Sequence, residues 1–126
     1  MIKFIENRFA SFTPAFNGLK YVIATQKNSW IHLVATAIAI SLALWLKLSY
    51  TNFAIIFLTI GLVWVAECIN TAIETTIDLV SPDRNHLAKV AKDVGAASVL
   101  CAAIIAIVIG IFVFVVPLFL KLKAIS

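Results

Sequence analysis

Charged residues are scarce, making up 13% of the 126 positions, about half the share of a soluble domain. They cannot supply the polar surface that a globule needs in water, so a soluble fold is excluded. There are only 4 glycines and 3 prolines, which excludes collagen-like and low-complexity chains, and the high apolar content excludes disorder. Two cysteines, Cys68 and Cys101, stand inside apolar segments with no metal-ligand spacing and no redox pair. They read as small buried hydrophobes, and a disulfide scaffold is excluded. No internal repeat is visible. Neither a Gly-rich phosphate loop ending in Lys-Ser/Thr nor the protein-kinase motif set occurs, so any phosphoryl chemistry would be of another kind.

What remains is apolar: 63% of residues are hydrophobic and the mean hydropathy is +1.06. This composition predicts an all-α membrane protein, because backbone groups in lipid must bond within their own segment and membrane strands would alternate in polarity. Three spans are expected, at about 30–48, 53–80 and 94–120, within a single domain covering 1–126. The last has no charge along its whole length and exceeds the roughly 20 residues needed to cross a bilayer. A lone copy of so short a chain buries little core, so association with further copies is expected.

The amino-terminal stretch lacks the apolar run and cleavage site of a signal peptide, and no leader is expected to be removed. Ile2, Ile5, Phe9, Phe12 and Phe16 recur at spacings of 3 and 4, predicting a helix in the membrane surface over about 2–27, with a break at Thr13-Pro14 and Pro14 opening a second piece. Lys3, Arg8, Lys20, Lys27, Arg84, Lys89 and Lys92 fall on one side of the three spans, and Lys47, Lys121 and Lys123 on the other. That bias predicts an amino terminus on the inner side of the membrane. The net charge of +4 suits anionic headgroups, and no nucleic-acid partner is expected.

The second span carries the chemistry. Glu67, Asn70, Glu74 and Asp78 are spaced 3, 4 and 4, which aligns them on one helical face over roughly 16 Å, with Glu67 deepest and Asp78 at the cytoplasmic surface. A charge near the bilayer centre costs about 2.5–3.5 kcal/mol, so three carboxylates on one stripe need partners, protons or cations, and a functional site is the default reading. The bland alternative is that they snorkel or pair with Lys20, Lys27, Arg84 and Lys89. Ser81-Pro82 ends this helix, and Lys92-Asp93 precedes the third span. There Asp93 can cap, and the free N–H groups of 94–96 can meet an anion. Together with the acids, this suggests phosphate held by Lys92 and magnesium held by carboxylates.

The run Ala66-Glu67-Cys68-Ile69-Asn70-Thr71-Ala72-Ile73-Glu74, followed by Asp78, Ser81-Pro82 and Ala91-Lys92-Asp93-Val94-Gly95-Ala96-Ala97, resembles the small prokaryotic diacylglycerol kinase and undecaprenol kinase family. The likeness extends from Phe16-Asn17-Gly18-Leu19-Lys20 through Ile31-His32-Leu33 to the third span. It implies a surface helix plus three transmembrane helices, a homotrimer with shared active sites, and ATP- and Mg²⁺-dependent phosphorylation of a lipid alcohol, either diacylglycerol or undecaprenol. It also implies roles: Glu67 as general base, Glu74 as principal metal ligand, Lys92 on the nucleotide phosphates, and Asn70, Asp78 and Asp93 in support. Where the family often has a metal-sharing glutamate, this chain has Gln26, a poorer Mg²⁺ ligand that could coordinate through its carbonyl oxygen or a water.

Lesser candidates carry bland readings beside functional ones. His32 reads as an interfacial or a binding histidine, His86 as a solvated loop residue or a base contact, and Arg8 as a possible nucleotide contact. Trp30 and Trp45 read as interface anchors, and Trp64 falls within a span. Ala96, Ala97, Ala102, Ala103 and Ala106 would permit close helix contact. Two rival functions use the same residues: an ion or proton conduit through the intramembrane acids, and a scaffold without turnover. Flux without ATP consumption would mark the first, and indifference to Lys92→Ala the second.

Overall fold

A computed structural model of the chain describes residues 2–83 and 85–125, with side chains described over 12–83 and 85–124. The side chains of Ile2, Lys3, Ile5, Arg8 and Phe9, and all of Arg84, lie outside the described residues. Four helices follow one another: α1 (Ile2–Thr25), α2 (Lys27–Trp45), α3 (Tyr50–Val80) and α4 (His86–Ile125). No strand occurs among the described residues, so the all-α expectation holds.

Helices α2, α3 and α4 are each long and apolar enough to cross a bilayer. With 31 and 40 residues, α3 and α4 measure about 46 and 60 Å at 1.5 Å per residue, well beyond the hydrocarbon thickness, so their ends stand in water. This corrects the reading of 81–93 as a loop. Of its described residues only 81–83 and 85 are non-helical, and α4 begins at His86. Its cap is Asn85, whose Oδ1 accepts from the Leu87 N–H at 2.8 Å. Asp93 is therefore no cap, and the N–H groups of 94–96 lie inside a helix. The charged stretch 86–93 is helical because a helix already nucleated in the apolar segment extends outward at one hydrogen bond per residue.

A second correction concerns Thr13-Pro14. Helix α1 runs through Pro14 without a break. Proline deletes one backbone hydrogen bond, but a break beside an apolar environment would leave several more groups unmet. Phe12 and Phe16 are both exposed on its surface. The actual corner is Gln26, whose extended backbone separates α1 from α2. Buried Ser29 ties the corner together by donating from Oγ to the Val22 carbonyl at 3.1 Å.

The α2–α3 turn is a Schellman motif. Lys47 N–H donates to Leu44 O and Leu48 N–H to Ala43 O, with Lys47 in the left-handed region at φ 53°, a conformation usually given to glycine. Ser49 then caps α3, its Oγ accepting from the Asn52 N–H. At this end Ala43, Ile56 and Val113 form a small core flanked by Leu48, Phe53 and Phe114. Nearby, the Lys121 ammonium lies 5.7 Å from the Trp45 ring centroid.

Helix α3 is the spine, packing most extensively on α4 and also on α2 and α1. Close approach to α4 uses Gly95, Val99 and Ala102, with Ala103 and Ala106 half-buried, whereas Ala96 and Ala97 face outward. Five polar residues, Ser29, Thr59, Glu67, Asn70 and Thr71, are buried, while Leu100, Ile107, Ile111 and Phe112 are exposed. Such a distribution suits lipid as the solvent rather than water.

Candidate functional site

The helical period of α3 places its four polar residues on the face turned into the bundle, and the depth of each sets its surroundings. Glu67 is 1% exposed and is the largest fully buried side chain among the described residues. Its Oε2 lies 3.5 Å from His32 Nε2 on α2, too far for a good N–H···O bond. Neither atom has a hydrogen-bond partner among the described residues. The His32 ring meets Trp64 edge to face, with centroids 6.3 Å apart, and Trp64 Nε1 donates to Thr36 Oγ1 at 3.3 Å. Trp64 is thus an internal prop for His32.

Two turns outward, Glu74 is held by two amides. Asn70 Nδ2 donates to its Oε1 at 3.0 Å and Gln26 Nε2 to its Oε2 at 3.3 Å. The departure from the family pattern at position 26 therefore stands directly against the carboxylate it was expected to assist. Asn70 is wedged between α3 and α4, and a Cβ built on Gly95 would come within 2.5 Å of its Oδ1. Gly95 is a residue that the site needs and that motif reading did not single out.

At the water edge Lys92 Nζ bonds Asp78 Oδ1 at 2.5 Å, joining α4 to α3. Asp78, Lys92, Lys89, His86 and Pro82 line a cleft of about 540 Å³. Asp93 pairs with Lys89 one turn back along α4, at 2.5 Å, rather than with the α3 stripe. Among the described residues the stripe makes no ion pair with Lys20, Lys27 or Lys89: Lys92 pairs with Asp78, and His32 faces Glu67.

The arrangement is a polar column. Gln26, Asn70 and Glu74 form its middle, Glu67 and His32 its buried end, and Asp78 and Lys92 its wet end. Among the described residues no three His, Cys, Asp or Glu side chains are grouped as a metal cage. Mg²⁺ is usually taken by one or two carboxylates with phosphate oxygens and waters completing the shell. Glu74 fits that mode, and the neighbouring amides carry oxygens as well as N–H groups. From His32 an apolar groove of about 520 Å³ descends between α2, α3 and α4, past Ala39 and Val63, toward Leu42 and Phe114.

Comparison with known proteins agrees with this architecture. The profile described as prokaryotic diacylglycerol kinase matches residues 13–114, which covers α2, α3 and most of α1 and α4. A diacylglycerol kinase of Synechocystis sp. is 41% identical over 105 residues, covering 82% of this chain and 60% of the relative. The chain thus spans about 60% of that protein's length. An undecaprenol kinase of Bacillus subtilis is 37% identical over 106 residues, covering 84% of this chain and 86% of the relative. A diacylglycerol kinase of Escherichia coli K12 is 28% identical over 111 residues, covering 82% of this chain and 91% of the relative. The buried carboxylate, its amide neighbours and the lysine-bearing cleft therefore sit within a matched region that includes every described side chain of the site, and the chain belongs to the prokaryotic diacylglycerol kinase family, a family of all-helical membrane lipid kinases.

Proposed function

We propose that the chain transfers the γ-phosphoryl group of ATP to the hydroxyl of a membrane lipid, diacylglycerol or undecaprenol, with the column from Glu67 to Lys92 as its active site. The observation that carries this reading is the buried, unpartnered carboxylate of Glu67 at the junction of an apolar groove and a polar column that opens on a lysine-bearing cleft. Lipid approaches from one side and nucleotide from the other.

In this reading Glu67 accepts the hydroxyl proton as the oxygen attacks the γ-phosphorus and the bond to ADP breaks. Asn70 holds the column in line between Glu67 and Glu74. Lys92 receives the phosphates, exchanging its ion pair with Asp78 for phosphate oxygens, and Asp93 steadies Lys89 at the rim. Glu74, with Gln26 beside it, would hold Mg²⁺, which supplies charge neutralisation on the phosphates. Catalysis is then mainly positioning and electrostatics, as for phosphoryl transfer in general.

The remaining parts of the proposal are an inner-membrane location with the amino terminus in the cytoplasm and a homotrimer covering the exposed apolar faces. The conduit alternative has less support. Beyond Glu67 α3 buries Val63, Thr59 and Ile56, and the Thr59 hydroxyl is already bonded to the Ile55 carbonyl, so the polar column ends blind. Purified protein in mixed micelles with radiolabelled ATP should label a lipid alcohol only when Mg²⁺ is supplied. No transfer to either lipid class would overturn the proposal.

A further inference from the structure

Three buried polar atoms of the site, His32 Nε2, Glu67 Oε2 and Asn70 Oδ1, have no partner among the described residues, and one small chemical group would satisfy the first two. His32 Nε2 and Glu67 Oε2 face each other at 3.5 Å, and each is unbonded. Leaving such atoms unmet is costly, yet the gap is held open. Trp64 abuts the His32 ring and is itself tied to Thr36, while the Glu67 side chain is almost wholly enclosed. His32 also lines the apolar groove at the end nearest the acid. An alcohol has one hydrogen to donate and two lone pairs to accept with. Placed beside both atoms, within hydrogen-bond distance of each, it donates to Glu67 and accepts from His32 Nε2–H, and it keeps one lone pair for attack.

We propose that His32 is a second substrate-holding residue, fixing the acceptor hydroxyl against Glu67 while the lipid chain lies in the groove below. This rests on the lipid-kinase reading. The reacting proton goes to Glu67, and His32 keeps its own. Its contribution is to remove the rotational freedom of a hydroxyl that a single contact would leave free to swing. For this the ring needs a hydrogen on Nε2, which makes that atom a donor toward the hydroxyl.

The test compares His32→Leu, which keeps bulk against Trp64 but has no donor, with His32→Gln, whose amide N–H falls near the position of Nε2. His32→Leu should lower kcat/KM for the lipid by about 10- to 100-fold, the worth of one hydrogen bond in a charged site, with the KM for ATP unchanged. His32→Gln should recover most of the loss. Wild-type rates in His32→Leu, or parallel losses toward lipid and ATP that glutamine does not rescue, would overturn the proposal. Should both variants misfold, nitrogen-15-histidine spectra of the otherwise native chain decide. Without nucleotide, the His32 Nε2 resonance, assigned by its persistence in His86→Asn, should shift when hexadecanol is added to the micelles, and an unmoved resonance at saturation rejects the role. A wild-type chain that phosphorylates no lipid alcohol sinks the kinase reading instead, whatever the spectra show of His32.

Discussion

The two ends of the polar column are built on opposite terms. At the deep end a carboxylate and an imidazole are enclosed, unbonded and held apart. At the outer end Asp78 and Lys92 are closely paired, with Asp78 exposed to solvent. A buried pair without partners among the described residues suits a ligand that can bond both atoms at once. An exposed ion pair contributes little to stability, since water screens it, and it exchanges readily for a more highly charged partner such as a triphosphate. The difference suggests that selectivity for the acceptor resides at the deep end and affinity for the nucleotide at the outer one.

That division can be broken by substitution. Glu67→Gln keeps shape and hydrogen-bonding capacity but cannot accept the proton. Turnover in a phosphate-transfer assay should fall about 10²- to 10⁴-fold, with helical content by circular dichroism unchanged. Gly95→Ala comes next. The added methyl meets Asn70 Oδ1 at 2.5 Å, so Asn70 must move and Glu74 loses a donor. A displacement of this size costs about 10²-fold in rate, read as a lower kcat with helices retained.

Lys92→Ala should act at the outer end alone, raising the KM for ATP by about 10- to 100-fold, the worth of a charge-assisted hydrogen bond, while the KM for lipid stays within error. An equal effect on both substrates would erase the distinction between the ends. The smallest effect lies far from the column. Lys47→Gly relieves the left-handed backbone at the α2–α3 turn and should stabilise the fold by about 0.5–1 kcal/mol, the left-handed penalty of a side chain less the extra chain entropy of glycine, seen in thermal unfolding with activity unaltered.

Much of this was legible in sequence for a physical reason. Residues on one helix face obey a fixed period, so 67, 70, 74 and 78 declare their alignment without any knowledge of the fold. Gln26 was also flagged, and the structure places it on Glu74. Contacts between helices have no such signature. His32 lies 35 positions before Glu67, and nothing near either residue announces the other. Gly95 likewise reads as a small residue on an apolar helix until Asn70 is seen pressed against it. The cap assigned to Asp93 failed because a helix emerging into water takes on the composition of a loop. A charged run after Ser81-Pro82 cannot by itself tell the two apart. Pro14 misled in the opposite sense, since one missing hydrogen bond is a weaker signal than the continuity around it.

The burial of Glu67 also bears on what the proposed enzyme would refuse. Water is the most abundant nucleophile available to any phosphoryl-transfer enzyme, and a base open to the cytoplasm would activate it and squander nucleotide. In the proposed reading the acceptor comes to the base along the apolar groove, so a nucleophile that travels in hydrocarbon is favoured there over water, and solubility itself acts as a gatekeeper.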